Sequence, residues 1–136
     1  MTLTCNKRDG ETTDTHPTAH ASGQQAAESH PREWPPCPVE TTLALIGDKW
    51  KVLILRDLLA GTKRFKELQR SVGKVSQKVL TQQLRSMESD GLVHREVYAE
   101  VPPRVEYSLT DLGRSLAPVI DAMRVWGEGF KAALRA

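Results

Sequence analysis

The sequence predicts a mainly α-helical fold with one small β-hairpin. Apolar residues recur at helical spacing through most of residues 37–136, and the period changes once, over residues 93–109. Residues 1–36 behave differently. Beyond Met1 their only large apolar side chains are Leu3 and Trp34, set among Thr, Ser, His, Gln, Gly and Pro. Such a stretch cannot bury enough surface to offset its ordering entropy. The expected organisation is therefore a flexible tail over 1–36 and a single domain over 37–136.

The domain opens sharply at Cys37-Pro38. Pro38 fits the first position of a helix, where its missing N–H is not needed, and Val39, Leu43 and Ile46 share one face. Gly47 ends this helix. Asp48 can cap a second, which carries Trp50, Leu53, Ile54 and Leu58 and runs to Gly61. A third helix over about 65–72 buries Phe65, Leu68 and Val72 and stops at Gly73. The fourth has the clearest punctuation. Ser76 is an N-cap, with Val75 and Leu80 at the two positions of a hydrophobic staple. Gly91 supplies the left-handed residue after the helix, with Leu92 able to touch Met87. Leu80, Leu84 and Met87 form its inward stripe, so Gln77, Lys78, Thr81, Gln82 and Arg85 lie away from it. Residues 93–98 and 104–109 read as two short strands joined around Pro102-Pro103, where no ladder donor is required. Beyond Thr110 a long helical pattern carries Leu112, Leu116, Ile120, Met123, Phe130 and Leu134, with Pro118 expected to bend or break it.

The formal net charge of +2 conceals an uneven distribution. Residues 63–85 hold Lys63, Arg64, Lys66, Arg70, Lys74, Lys78 and Arg85 against Glu67 alone, a local charge of +6. Charge by itself fits a solvated helical face. Here it coincides with two short helices joined by a glycine-containing turn and followed by a hairpin, the order of a winged helix-turn-helix. The outward residues of the fourth helix are of the types that read base edges: Gln for adenine, Lys or Arg for guanine. Ser76 and the free N–H groups at the helix start suit phosphate.

Several stretches together carry a family resemblance. They are Cys37-Pro38-Val39-Glu40, Leu45-Ile46-Gly47-Asp48-Lys49-Trp50, Ser76-Gln77-Lys78-Val79-Leu80-Thr81, Asp90-Gly91-Leu92, and the wing from Glu100-Val101-Pro102-Pro103-Arg104 to Thr110. In this order and spacing the chain resembles the HxlR-type transcriptional regulators, relatives of the MarR winged-helix proteins, over essentially all of 37–136. The resemblance implies a homodimer that binds an inverted-repeat operator in double-stranded DNA, usually near its own promoter or a divergent neighbour, and a repressor is the expected role. It implies that Ser76, Gln77, Lys78, Thr81, Gln82 and Arg85 sit in or beside the major groove. Arg104 would reach the minor groove or its phosphates, with a surface ion pair to Glu100 or Glu106 as the alternative. Lys63, Arg64 and Lys66 would contact the DNA backbone, positioning without specifying. The tail over 1–36 departs from the short arm usual in the family.

Two further features bear on control and assembly. Met123, Trp126 and Phe130 form an apolar stripe too long for a small winged domain to cover, which points to an association surface formed with the first helix, with packing on its own domain as the alternative. Cys37 stands at a helix N-terminus, where the dipole favours thiolate, although Glu40 one turn on opposes it. The resemblance adds that many members sense oxidants, quinones or electrophiles through a cysteine at this position. The competing reading is a small packing residue. Cys5 is disfavoured as a resolving thiol because it lies on the tail.

Other classes fit less well. An enzyme with Cys37 as nucleophile lacks a base, since His94 is the only histidine of 37–136 and falls on the first wing strand. A winged module that docks proteins has little use for the +6 segment. His16, His20 and His30 show no metal-ligand spacing, and neither a metal nor a cofactor is expected. Two cysteines are too few for a disulfide framework, and residues 1–10 contain no apolar signal region. No apolar run approaches the roughly 20 residues of a membrane span. A cytoplasmic, nucleoid-associated protein without membrane contact is expected.

Overall fold

The computed structural model describes residues 33–136, which fall into two compact units divided between Gly47 and Asp48. The expected tail falls mainly outside these residues, as do Cys5 and the three histidines considered for metal. Among the described residues no helix is long and apolar enough to cross a membrane.

The first unit contains α1 (Pro38–Ile46). Cys37 caps it in an extended conformation, and Pro38 occupies the first turn. The Cys37 carbonyl accepts from the Thr41 N–H at 3.0 Å, and the Gly47 N–H donates to the Leu43 carbonyl at 2.7 Å. Ile46 is buried, but Val39 and Leu43 are exposed. The apolar spacing of α1 thus marks a face that the described residues leave largely uncovered.

The second unit runs α2 (Lys49–Leu59), β1 (Lys63–Arg64), α3 (Phe65–Val72), α4 (Gln77–Ser89), β2 (Val93–Tyr98), β3 (Arg104–Leu109), α5 (Asp111–Arg114) and α6 (Ala117–Arg135). Its core is built from Ile54, Leu55 and Leu58 of α2, Leu68 and Val72 of α3, and Leu80, Leu84 and Met87 of α4, closed by Leu92, Val93 and Leu109. The Asp48 carboxylate accepts from the Trp50 N–H at 2.7 Å, so α2 begins where the sequence placed it. A second tie joins α2 to α3. The Ser71 hydroxyl donates to Asp57 at 2.7 Å, and Arg56 Nε donates to the same carboxylate at 2.6 Å.

Both ends of α4 are fixed by local chemistry. Ser76 Oγ accepts from the Val79 N–H at 3.1 Å, and Val75 and Leu80 are buried as staple partners. At the other end Gly91 takes φ +80°, a conformation that other residues rarely adopt. Leu92 N–H then donates to the Met87 carbonyl and Gly91 N–H to the Glu88 carbonyl, the paired bonds of a Schellman motif. Ser76→Ala is expected to cost about 1 kcal/mol. Chemical denaturation should read this as a lower midpoint with an unchanged slope.

The hairpin pairs β2 with β3 antiparallel from Val93↔Leu109 to Tyr98↔Arg104. The structure adds a strand that the sequence pattern did not indicate. Two-residue β1 pairs with β3 through Lys63↔Tyr107 and Arg64↔Glu106, giving the sheet order β1-β3-β2. The long pattern after Thr110 is also divided. Short α5 precedes α6, and Pro118 sits in the first turn of α6 rather than bending one continuous helix.

Candidate nucleic-acid interface

The turn between α3 and α4 sets the direction of α4. Gly73 adopts φ +123°, the Val75 N–H returns to the Gly73 carbonyl at 2.9 Å, and the Gln69 side-chain amide donates to the Val75 carbonyl at 3.1 Å. This holds α4 at a fixed angle to α3. The core takes Leu80, Leu84 and Met87, so periodicity turns Lys78, Gln82 and Arg85 to the opposite side, where all three are exposed, while Gln77 is exposed as the first residue of the helix, on the side of the core stripe. Thr81 is half-buried at the margin. Lys78, Gln82 and Arg85 follow i, i+4, i+7 spacing and span roughly 10 Å along the axis, about three base-pair steps. The adjacent Gln83 turns the other way, and its amide donates to Asp48 at 3.3 Å.

Residues 63–85 concentrate seven cations against one acidic group. None of the seven cations of residues 63–85 makes a side-chain hydrogen bond or ion pair among the described residues. Elsewhere Arg56, Arg95, Arg104, Arg114 and Arg124 are paired with carboxylates, whereas Lys49, Lys51, Lys131 and Arg135 make no ion pair among the described residues. The N-terminus of α3 is held by Glu67, whose carboxylate accepts from the Arg64 N–H at 2.8 Å. That contact engages the only acidic group of the segment with backbone rather than with a cation. β1 carries Lys63 and Arg64 onto the sheet beside the wing, while Lys66 lies on the first turn of α3. Strand pairing thus places two basic residues beside the middle of β3, which helical spacing could not reveal.

Two side chains near the wing were not singled out by the sequence. Arg95 on β2 lies 3.7 Å from Glu88 near the end of α4. Tyr107 packs its ring 6.5 Å from Phe65. Burial raises the Tyr107 hydroxyl above the usual tyrosine range; Arg95 opposes the shift, Glu88 adds to it and Arg85 opposes it. The hydroxyl therefore remains protonated at neutral pH.

At the wing itself Arg104 takes both alternatives of its ion pair. Nη2 donates to Glu100 at 2.8 Å and Nη1 to Glu106 at 3.0 Å. His94, on β2, pairs with Glu96 at 2.8 Å.

The remaining predicted residues lie on other surfaces. Met123, Trp126 and Phe130 of α6 are 49%, 70% and 50% exposed, and Trp126 stacks on Phe130 at 5.4 Å. With Pro118, Val119 and Ala122, Met123 and Trp126 line an open apolar trough of ≈ 660 Å³. The other side of α6 carries Asp121, Arg124 and Glu128 in mutual ion pairs. Cys37, in the first unit, is half-buried and disulfide-bonded, so the thiolate favoured by a helix N-terminus is not the state present. The other cysteine, Cys5, lies outside the described residues.

A polar-faced, cation-flanked helix set behind a tight turn and followed by a hairpin defines a winged helix-turn-helix transcriptional regulator. The chain belongs to the HxlR-like helix-turn-helix family, whose model matches residues 45–134. It is 57% identical over 95 residues to the HTH-type transcriptional regulator YdeP of Bacillus subtilis, covering 70% of this chain and 74% of YdeP. Among solved structures, the redox regulator HypR in its oxidised form matches with a TM-score of 0.65 at 53% identity, over 68% of this chain and 96% of that one. Diamide-treated YodB from B. subtilis matches with a TM-score of 0.58 at 37% identity, over 69% of this chain and 94% of that one.

Proposed function

We propose that the chain is a homodimeric repressor that reads an inverted-repeat operator through α4 and is controlled by oxidation or electrophile modification of Cys37. The observation carrying the DNA reading is the run of seven cations over residues 63–85, unpaired among the described residues, in the segment that ends on the exposed polar face of α4. Bringing them to phosphate relieves their mutual repulsion and releases condensed counterions. Lys63, Arg64 and Lys66 would hold the DNA backbone. Ser76, Gln77, Lys78, Thr81, Gln82 and Arg85 would face the major groove. The working domain is taken as residues 37–136, with 1–36 as an appended tail, acting in the cytoplasm at the nucleoid.

Dimerisation is supported by two uncovered apolar faces, Val39 and Leu43 on α1 and Met123, Trp126 and Phe130 on α6. Exposed apolar surface on each of these helices favours association. A two-fold dimer would bind half-sites about 10 bp apart, or a multiple of that. Redox control is supported by the disulfide state of Cys37 at the start of α1, and by the redox regulator HypR and the diamide-treated form of YodB among the structural neighbours. In such a step Cys37 and a second thiol would form the S–S bond while two electrons and two protons pass to the oxidant.

A shift assay on the DNA upstream of the gene and its neighbours tests these readings together. The reduced protein is expected to retard a fragment with a pseudo-palindrome, with log Kobs falling by about 0.9 per neutralised phosphate for each unit of log salt. Diamide or quinone should release the DNA from the wild type and not from Cys37→Ser. A flat salt dependence would reject the interface, and an unchanged response in Cys37→Ser would reject the sensor.

A further inference from the structure

Arg104 is the first residue of β3, yet its guanidinium is spent within the wing. It donates to Glu100 in the loop and to Glu106 on β3, and it lies 3.9 Å over the ring of Tyr98 at the end of β2. One side chain therefore ties both strands and their connecting loop. It is 25% exposed, and its Nε is buried without an acceptor among the described residues. Swinging it out to a phosphate would break two charge-assisted hydrogen bonds and leave two carboxylates unpaired beside a polyanion. Beyond this clasp the tip is uncharged: Val101, Pro102 and Pro103 are exposed, Val101 completely.

We propose that Arg104 is a positioning residue that fixes the shape of the wing, and that the wing meets DNA with the uncharged tip Val101-Pro102-Pro103. This rests on the operator-binding reading above. Two prolines restrict the tip's backbone, so little conformational freedom is lost when it is pressed against a groove wall. Apolar side chains, proline included, serve as minor-groove contacts in other DNA-binding proteins. The seven cations of residues 63–85 would supply the charge, and the wing would supply shape.

The discriminating measurement is fluorescence anisotropy on the upstream duplex, at several salt concentrations, for wild type and the variants Glu106→Gln, Arg104→Gln, Arg104→Lys and Val101→Asp. Glu106→Gln removes a negative charge, so a freed, phosphate-seeking Arg104 would tighten binding. The clasp instead requires binding to weaken, by about tenfold, the scale of one good contact. Arg104→Lys keeps the charge but cannot reach both carboxylates, and should weaken binding as much as Arg104→Gln. Both should keep the wild-type salt slope, whereas a lost phosphate contact would lower it by about 0.9. Tighter binding by Glu106→Gln, or a reduced slope in Arg104→Gln, would overturn the positioning role. Val101→Asp changes a fully exposed side chain without touching the core and should weaken binding at least about tenfold. Unchanged affinity in that variant would overturn the tip contact. A wild-type protein that bound no duplex would overturn the operator reading itself; normal wild-type binding with Glu106→Gln tightened would overturn this proposal alone.

Discussion

Replacing both Lys78 and Arg85 with alanine is expected to abolish operator binding while leaving the fold intact. Both side chains are exposed on the face of α4 opposite Leu80, Leu84 and Met87, and neither has a hydrogen-bond or ion-pair partner among the described residues. Removing them takes nothing from the core and relieves repulsion within a segment of charge +6. Surface changes of this kind move stability by about 0.5 kcal/mol or less. In the complex, a base contact is worth about 1–3 kcal/mol, so the pair should cost at least about 30-fold in affinity. Anisotropy titration together with thermal melting distinguishes the outcomes. Retained tight binding would show that α4 is not the reading helix. A large drop in melting temperature would show that the two cations hold the fold.

Much of the geometry of α4 and the wing was legible because the signals that build it are local. Ser76, Gly73 and Gly91 each act within a few residues, so both ends of α4 could be placed from the chain alone. The hairpin limits followed from the change of period and from Pro102-Pro103. What escaped was decided by partners distant in sequence. β1 is only two residues long and exists because β3 pairs with it, so no periodicity could announce it. Periodicity identified the apolar faces of α1 and α6 but could not say what covers them, and Val39, Leu43 and Trp126 are exposed among the described residues. Arg104 was open between two roles because an arginine beside two glutamates and next to a wing tip fits either. The observed geometry pairs it with both carboxylates. Pro118 correctly signalled an interruption, but the cheapest place for a proline is the first turn of a new helix, and the chain breaks just before it.

The largest stability effect expected from a small change lies at Gly113, where the root of the wing meets α5. Thr110 organises the node. Its N–H donates to the Leu92 carbonyl at 3.1 Å, its hydroxyl donates to the Gly91 carbonyl at 2.6 Å, and the same hydroxyl accepts from the Gly113 N–H at 3.0 Å. The arrangement brings Gly113 so close to residue 92 that an added Cβ would collide with the Leu92 carbonyl oxygen, while also lying 3.2 Å from its carbon and from Leu109 Cδ2. The obstacle is backbone, already fixed by Thr110, and cannot rotate away as a flexible side chain would. Gly127 and Gly129 on α6 face open space, so the constraint belongs to this node rather than to glycine in general. Overpacking costs about 1–3 kcal/mol where neighbours can yield. Gly113→Ala should reach or exceed the upper end, lowering the melting temperature by about 12–24 °C for a domain of this size. Because Leu92 leads directly into β2 and Leu109 ends β3, the strain should also displace the wing. Operator affinity should therefore fall even at temperatures where the variant remains folded. A variant that melts within about 4 °C of wild type, less than 1 kcal/mol, would show that α5 can move away from Leu92 at little cost, and that the wing is not anchored through this contact.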